Sequence, residues 1–172
     1  DTLDEIENLI GSAFGDSLTG SAVANVLTGG LGDDVLNGRG GNDQLVGGAG
    51  IDTASYANAA AGVTVRLNLN TASDGDGGTD TLNSIENAMG SAFNDLLVGN
   101  AFANVLTGGL GADTLIGLAG NDTLIGGSGA ANTLQGGLGD DLYVVSANDT
   151  LVEFSGEGTD TVQTSRNFQP LA

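Results

Sequence analysis

A nine-residue period runs through most of this chain, and it narrows the possible folds more than any other feature. The first series of blocks reads GSAFGDSLT (11–19), GSAVANVLT (20–28), GGLGDDVLN (29–37), GRGGNDQLV (38–46) and GGAGIDTAS (47–55). The second reads GSAFNDLLV (90–98), GNAFANVLT (99–107), GGLGADTLI (108–116), GLAGNDTLI (117–125), GGSGAANTLQ (126–135) and GGLGDDLYV (136–144). Every block opens with glycine, position six is aspartate in eight of the eleven, and position eight is mostly leucine. The series is itself a duplication: residues 1–50 set against 80–129 agree at 33 of 50 positions.

A nonapeptide divides into a six-residue turn and a three-residue strand. Glycines at positions one, two and four allow positive φ and let carbonyl oxygens crowd together. Leu18, Leu27, Leu36 and Leu45 then fall one per strand and can meet in a thin core. Two nonapeptides make one winding, so residues 18 apart stack at the strand spacing of about 4.8 Å. Asp16, Asp34 and Asp52 form one ladder, and Asn25 with Asp43 the other. In the second series Asp95 stacks with Asp113, and Asn104 with Asp122 and Asp141. Carboxylates about 5 Å apart repel by roughly 3 kcal/mol at an effective dielectric near 20. A calcium ion between turns converts that repulsion into coordination, because it takes carboxylate and carbonyl oxygens together.

Composition supports a cation partner. There are 22 acidic residues against 3 basic ones, a net charge of −19, which opposes binding to nucleic acid and to anionic membranes. No apolar run is long enough for a membrane span. The absence of cysteine and histidine excludes disulfides, thiolate zinc sites and histidine-dependent triads. No informative carboxylate pair suggests an enzyme, so any catalytic domain is expected outside these residues. The chain opens in mid-pattern at Asp1-Thr2-Leu3 without a leader-like segment and reads as part of a larger protein.

The period suggests a first unit over 1–55, with nonapeptides at 11–55, and a second over 90–144. Between them, 56–89 reads as an irregular connector. Val63, Val65, Leu67 and Leu69 alternate with polar residues, which predicts a strand, and 73–78 predicts a loop. The connector either continues the roll or bridges two rolls. Asp74, Asp76 and Asp80 are read as a solvated acidic loop, since Gly78 and the lack of helices spoil an EF-hand. Residues 145–172 carry short strands, and Gly156–Val162 echoes 76–82 as if a third unit began. Phe14, Phe93 and Phe102 sit at turn position four and are expected to pack locally.

The blocks resemble the repeats-in-toxin (RTX) family, whose nonapeptide is Gly-Gly-x-Gly-x-Asp-x-apolar-x. Blocks 29–37, 47–55, 108–116 and 136–144 match its glycines and aspartate in full. The resemblance implies an all-β fold: a right-handed parallel β-roll of two tandem repeat units, holding several Ca2+ ions between turns. It implies Asp34, Asp43, Asp52, Asp113, Asp122 and Asp141 as side-chain ligands, with Asp16 and Asp95 of second rank. Carbonyls of Gly29, Gly30, Leu31 and Gly32, of Gly47, Gly48 and Gly50, and of Gly108, Gly109, Leu110 and Gly111 would complete the shells. Sites at Asn25 and Asn104 should be weaker, and the block 126–135 should be damaged, with Ala131 or Asn132 at the aspartate position. The function so implied is a calcium-dependent folding module of a secreted, extracellular or cell-surface bacterial protein, exported unfolded by type I secretion. The competing reading is a structural or adhesive solenoid able to associate end to end; an accessory enzymatic or glycan-binding module ranks below both.

Overall fold

A computed structural model describes residues 6–164 apart from residue 147. The last eight residues, and with them the end of the expected third unit, lie outside the described residues. The chain winds between two sheets that face one another across the line of leucines. One sheet has ten strands, in the order Asn8–Ile10, Val26–Leu31, Gln44–Ala49, Thr79–Asn83, Thr71–Ser73, Thr64–Arg66, Leu96–Val98, Thr114–Ala119, Thr133–Leu138 and Thr150–Leu151. The other has eight: Ser17–Thr19, Val35–Asn37, Thr53–Ser55, Asn87–Met89, Val105–Gly111, Thr123–Gly129, Leu142–Val145 and Thr161–Thr164. The fold is the expected all-β parallel roll.

Register follows from the period. Leu18 pairs with Leu36 in one sheet and Leu27 with Leu45 in the other, each 18 residues on. Position eight therefore always points inward, and the side chains from Leu27 through Leu134 at that place are buried. Tyr143 takes this place in the last block and is fully buried. The extra residue of 126–135 is absorbed in its turn: Leu115 pairs with Leu134 and Leu124 with Tyr143, both 19 residues on. A slip of one residue would have turned these side chains outward.

Both sheets run without a break across 56–89. The alternating stretch 63–69 is a strand only over Thr64–Arg66. It ends in a 3-10 turn at Leu67–Leu69 and reverses at Asn70, whose φ is 58°. Its amide N–H closes that turn on the Leu67 carbonyl at 3.2 Å. The expected longer strand is therefore cut short, and Leu69 is left exposed. Thr71–Ser73 then pairs antiparallel with both neighbours, Thr64–Arg66 and Thr79–Asn83. One consequence is that the two copies of the duplicated unit exchange sheets: Leu18 lies in the eight-stranded sheet and its counterpart Leu97 in the ten-stranded one.

The phenylalanines do not pack as expected. Phe14 and Phe102 are 78% and 74% exposed, and Phe93 is 46% exposed. The turn backbone aims position four away from the core, and no neighbouring layer covers it.

Candidate metal centres

Each position-six carboxylate except that of Asp16 is held by its neighbouring winding. Oδ1 accepts the backbone N–H of the equivalent residue one winding earlier: Asp16 to Asp34 at 2.8 Å, Asn25 to Asp43 at 2.7 Å, and Asp34 to Asp52 at 2.8 Å. The second unit repeats this, with Asp95 to Asp113 at 3.0 Å, Asn104 to Asp122 at 2.7 Å and Asp122 to Asp141 at 2.7 Å. This pins these carboxylates in the wall of the roll, almost out of reach of water, whereas Asp16 in the first turn is only half-buried.

The other oxygen separates the turns into two kinds. Oδ2 of Asp34, Asp43, Asp52, Asp113, Asp122 and Asp141 is buried without a hydrogen-bond partner. In each of those turns position two has positive φ: Gly30 (119°), Arg39 (66°), Gly48 (115°), Gly109 (113°), Leu118 (82°) and Gly137 (98°). In four others position two is Ser or Asn without positive φ, and its N–H closes on the position-six side chain; the ten-residue turn 126–135 has Gly127 at 90° but carries Asn132 in place of the aspartate. Ser12 donates to Asp16 Oδ2 at 2.5 Å and Ser91 to Asp95 Oδ2 at 2.6 Å. Ser21 donates to Asn25 Oδ1 and Asn100 to Asn104 Oδ1, both at 2.7 Å. A positive φ swings this donor away and leaves a charged oxygen bare. Such an atom costs about 1–3 kcal/mol or more unless something pairs with it.

What surrounds the bare oxygens is carbonyl. A Cβ at Gly29 would stand against Asp34 Oδ2 and 2.6 Å from the Gly47 carbonyl oxygen; Gly108 and Gly117 repeat this with Gly126 at 2.7 Å and Gly136 at 2.6 Å. At positions two and four, Gly48 faces the Gly30 carbonyl, Gly50 that of Gly32, and Gly111 that of Phe93 at 2.5 Å. Leu31 and Leu110 turn their side chains outward and donate their N–H groups to the Ser12 and Ser91 carbonyls, both at 3.2 Å. The donor set is oxygen alone, anionic and neutral mixed, which suits a hard cation such as Ca2+.

Burial, working on the charged form, pushes the Asp113 and Asp122 carboxyls up to about 6. Asp43 is pushed to about 6 by burial, with the Asp74 charge adding to it and the Asn25 N–H opposing. Asp52 and Asp141 are raised for the same first reason. These are the groups that a nearby divalent charge would bring back to ionisation.

The ladders extend further than the nonapeptides suggest. Asp43 N–H donates to Asp80 Oδ1 at 3.0 Å, Asp52 to Glu86 Oε2 at 2.9 Å, Asn132 to Asp149 Oδ1 at 2.9 Å and Asp141 to Asp160 Oδ1 at 3.0 Å. A signal for them exists in the acidic-x-apolar triplets Asp80-Thr81-Leu82, Glu86-Asn87-Ala88, Asp149-Thr150-Leu151 and Asp160-Thr161-Val162. In the ten-residue block it is Asn132, not Ala131, that takes the ladder place, accepting from Asp113 N–H at 2.8 Å. The solvated reading of the 74–80 loop is overturned for two of its three acids. Asp74 and Asp80 are fully buried, Asp80 accepts from the Tyr56 hydroxyl at 3.0 Å, and Asp74 Oδ2 has no partner. Asp74 Oδ1 accepts both Asp76 and Gly78 N–H, which curls the loop inward over its own carboxylate.

A family model for the RTX calcium-binding nonapeptide repeat matches residues 19–54, 89–124 and 125–142, in four copies. No curated protein matches the chain. The matched stretches make up just over half of the 172 residues and contain the turns with bare oxygens described above, so this chain belongs to the RTX calcium-binding nonapeptide repeat family and is a calcium-binding β-roll.

Proposed function

We propose that this β-roll is the calcium-dependent folding module of a larger secreted protein, with Asp34, Asp43, Asp52, Asp113, Asp122 and Asp141 as its principal side-chain ligands. The observation that carries this is the buried, unpartnered Oδ2 in each of those six turns. Carbonyls of the position-one glycines Gly47, Gly126 and Gly136 approach the same space and would serve as further ligands, with those of Gly30 and Gly32 in the adjoining turn backbone. Asp16 and Asp95 hold second rank, because their own Ser N–H groups already satisfy them. Residues 1–55 and 90–144 act as the two repeat units, and 56–89 as the connector that joins them into one roll.

A ligand that binds only the folded state stabilises it by RT ln(1 + [L]/Kd) at every site. Many sites of modest affinity therefore act together, strongly where calcium is plentiful and weakly where it is scarce. That difference lets a chain stay unfolded inside a cell and fold outside it. Catalysis, where the parent protein has it, belongs to another domain. The test is far-ultraviolet circular dichroism of the purified chain. Calcium should raise the β signal several-fold and a chelator should reverse it; an unchanged spectrum after removal of all divalent metal overturns the proposal.

A second reading, a self-associating solenoid, draws on apolar side chains left exposed at the turns on both edges of the roll. Leu31, Leu110 and Leu138 at position three are all more than half exposed, as are Phe14 and Phe102. Sedimentation with calcium distinguishes the two: a monomer at all concentrations leaves the folding module alone.

A further inference from the structure

The last nonapeptide turn is built unlike the others. In regular turns the space beside the position-one glycine lies between its own aspartate Oδ2 and a position-one carbonyl of the next winding, as at Gly29, Gly108 and Gly117. At Gly136 the aspartate oxygen, Asp141 Oδ2, keeps its place, and the Tyr143 hydroxyl stands beside it, 2.5 Å from where a Cβ would be. Tyr143 occupies a leucine position, so its ring is core while its oxygen reaches the wall. It accepts the Gly136 N–H at 2.6 Å and donates to Glu153.

Glu153 does not belong to any nonapeptide. It follows the short strand Thr150–Leu151, and the adjoining Val152 is tied to the roll by its N–H on the Leu134 carbonyl at 2.9 Å. One carboxylate oxygen from each of Asp141, Glu153 and Asp160 lies within 4.8 Å of the others. Asp141 is 2% exposed, and its Oδ2 has no hydrogen-bond partner. Its Oδ1 is already committed to Asp122 N–H, and Asp160 Oδ1 to Asp141 N–H. The charges crowd one another: Glu153 is raised first by burial, then by Asp160, Glu157 and Asp141.

We propose that the divalent-cation centre of the last turn is enlarged: the Asp141 oxygen assigned above to a calcium shares its ion with Asp160 and with a Glu153 carboxylate positioned by Tyr143, a ligand that no other described turn has. The centre rests on the reading that bare aspartate oxygens in this roll hold calcium. It differs in charge, with three carboxylates converging, and more anionic ligands give tighter calcium binding. Glu153 is thus a ligand, and Tyr143 a positioning residue.

The full chain makes the test direct, since it has two tyrosines and no tryptophan. In a Tyr56→Phe background, terbium luminescence excited through tyrosine reports on ions near Tyr143. Calcium per chain is counted in parallel by equilibrium dialysis with calcium alone. Glu153→Gln should lower the tyrosine-sensitised terbium affinity on the order of ten-fold or more and remove one calcium, leaving the others bound. Asp160→Asn should do the same, while Asp113→Asn should remove a repeat ion and leave the terbium signal intact. Unchanged emission and calcium count in both Glu153→Gln and Asp160→Asn would overturn the centre, even though the repeats bind calcium. A wild-type chain that binds no calcium would instead overturn the folding-module reading beneath it.

Discussion

At the scale of single residues, the backbone at turn position two decides whether a carboxylate is free for a cation. Where Ser12 or Ser91 stands, an amide closes on the aspartate; where φ turns positive, that amide is gone. Two residues accept this conformation without being glycine, Arg39 at 66° and Leu118 at 82°. Left-handed backbone costs a residue with a Cβ roughly 1 kcal/mol or more. Leu118 gains little packing in return, since it is 39% exposed. Leu118→Gly should therefore raise the unfolding free energy of the calcium-loaded protein by about 0.5–1 kcal/mol, the extra freedom of glycine in the unfolded chain taking back part of the relief. Urea denaturation at saturating calcium measures it, and a loss of stability would show that the strain is not there. Asp122→Asn in the same turn should act in the opposite direction and weaken calcium binding, as calcium titration would reveal.

At the scale of elements, closed and open turns are exchangeable designs on one backbone plan. The turn 90–98 has Ser91 and Phe93 where open turns have glycine at positions two and four. Its aspartate, Asp95, is already in the wall, 5% exposed, with Oδ1 accepting the Val63 N–H at 2.8 Å. Ser91→Gly with Phe93→Gly should release Oδ2 and add one calcium to the count by equilibrium dialysis; an unchanged count would mean that position two does not govern occupancy. Much at this scale was legible in the sequence. The period gave the strands, the inward leucines and the pairing of Leu27 with Leu45, because a strict repeat leaves one register that buries them all. The hairpin within 56–89 was not legible. Its reversal depends on one residue, Asn70, taking a left-handed φ, and Val63–Leu69 alternates as smoothly as a straight strand would. Asp80 was hidden for a related reason. The segment 75–83, GDGGTDTLN, carries glycine first, aspartate sixth and leucine eighth, but it stands apart from both series. Glu153 had no signal at all, since only the fold brings it to Asp141.

At the scale of the whole molecule, the roll gathers buried acids into a body with a net charge of −19. Without metal, folding at neutral pH must hold these carboxylates ionised and unpaired, or protonate them. Asp43, Asp80, Asp113 and Asp122 are each pushed up to about 6 by burial, against an ordinary value of 3.8. The sign follows from linkage: the folded state binds protons more tightly than the unfolded one, so their stabilisation is complete below the unfolded value and is lost as pH rises through about 6. Calcium reverses the preference, because it needs the same oxygens deprotonated. Two opposite trends should therefore appear in one protein. In chelator, β circular dichroism should increase as pH is lowered from about 7 towards about 5, still above the isoelectric point near 4.1. In calcium, the same acidification should weaken binding and lower the thermal midpoint, as protons displace the ion that neutralises the wall. The two melting curves should approach one another at acidic pH and separate widely at neutral pH. Parallel pH dependence with and without calcium would mean that the buried carboxylates are not where the metal acts.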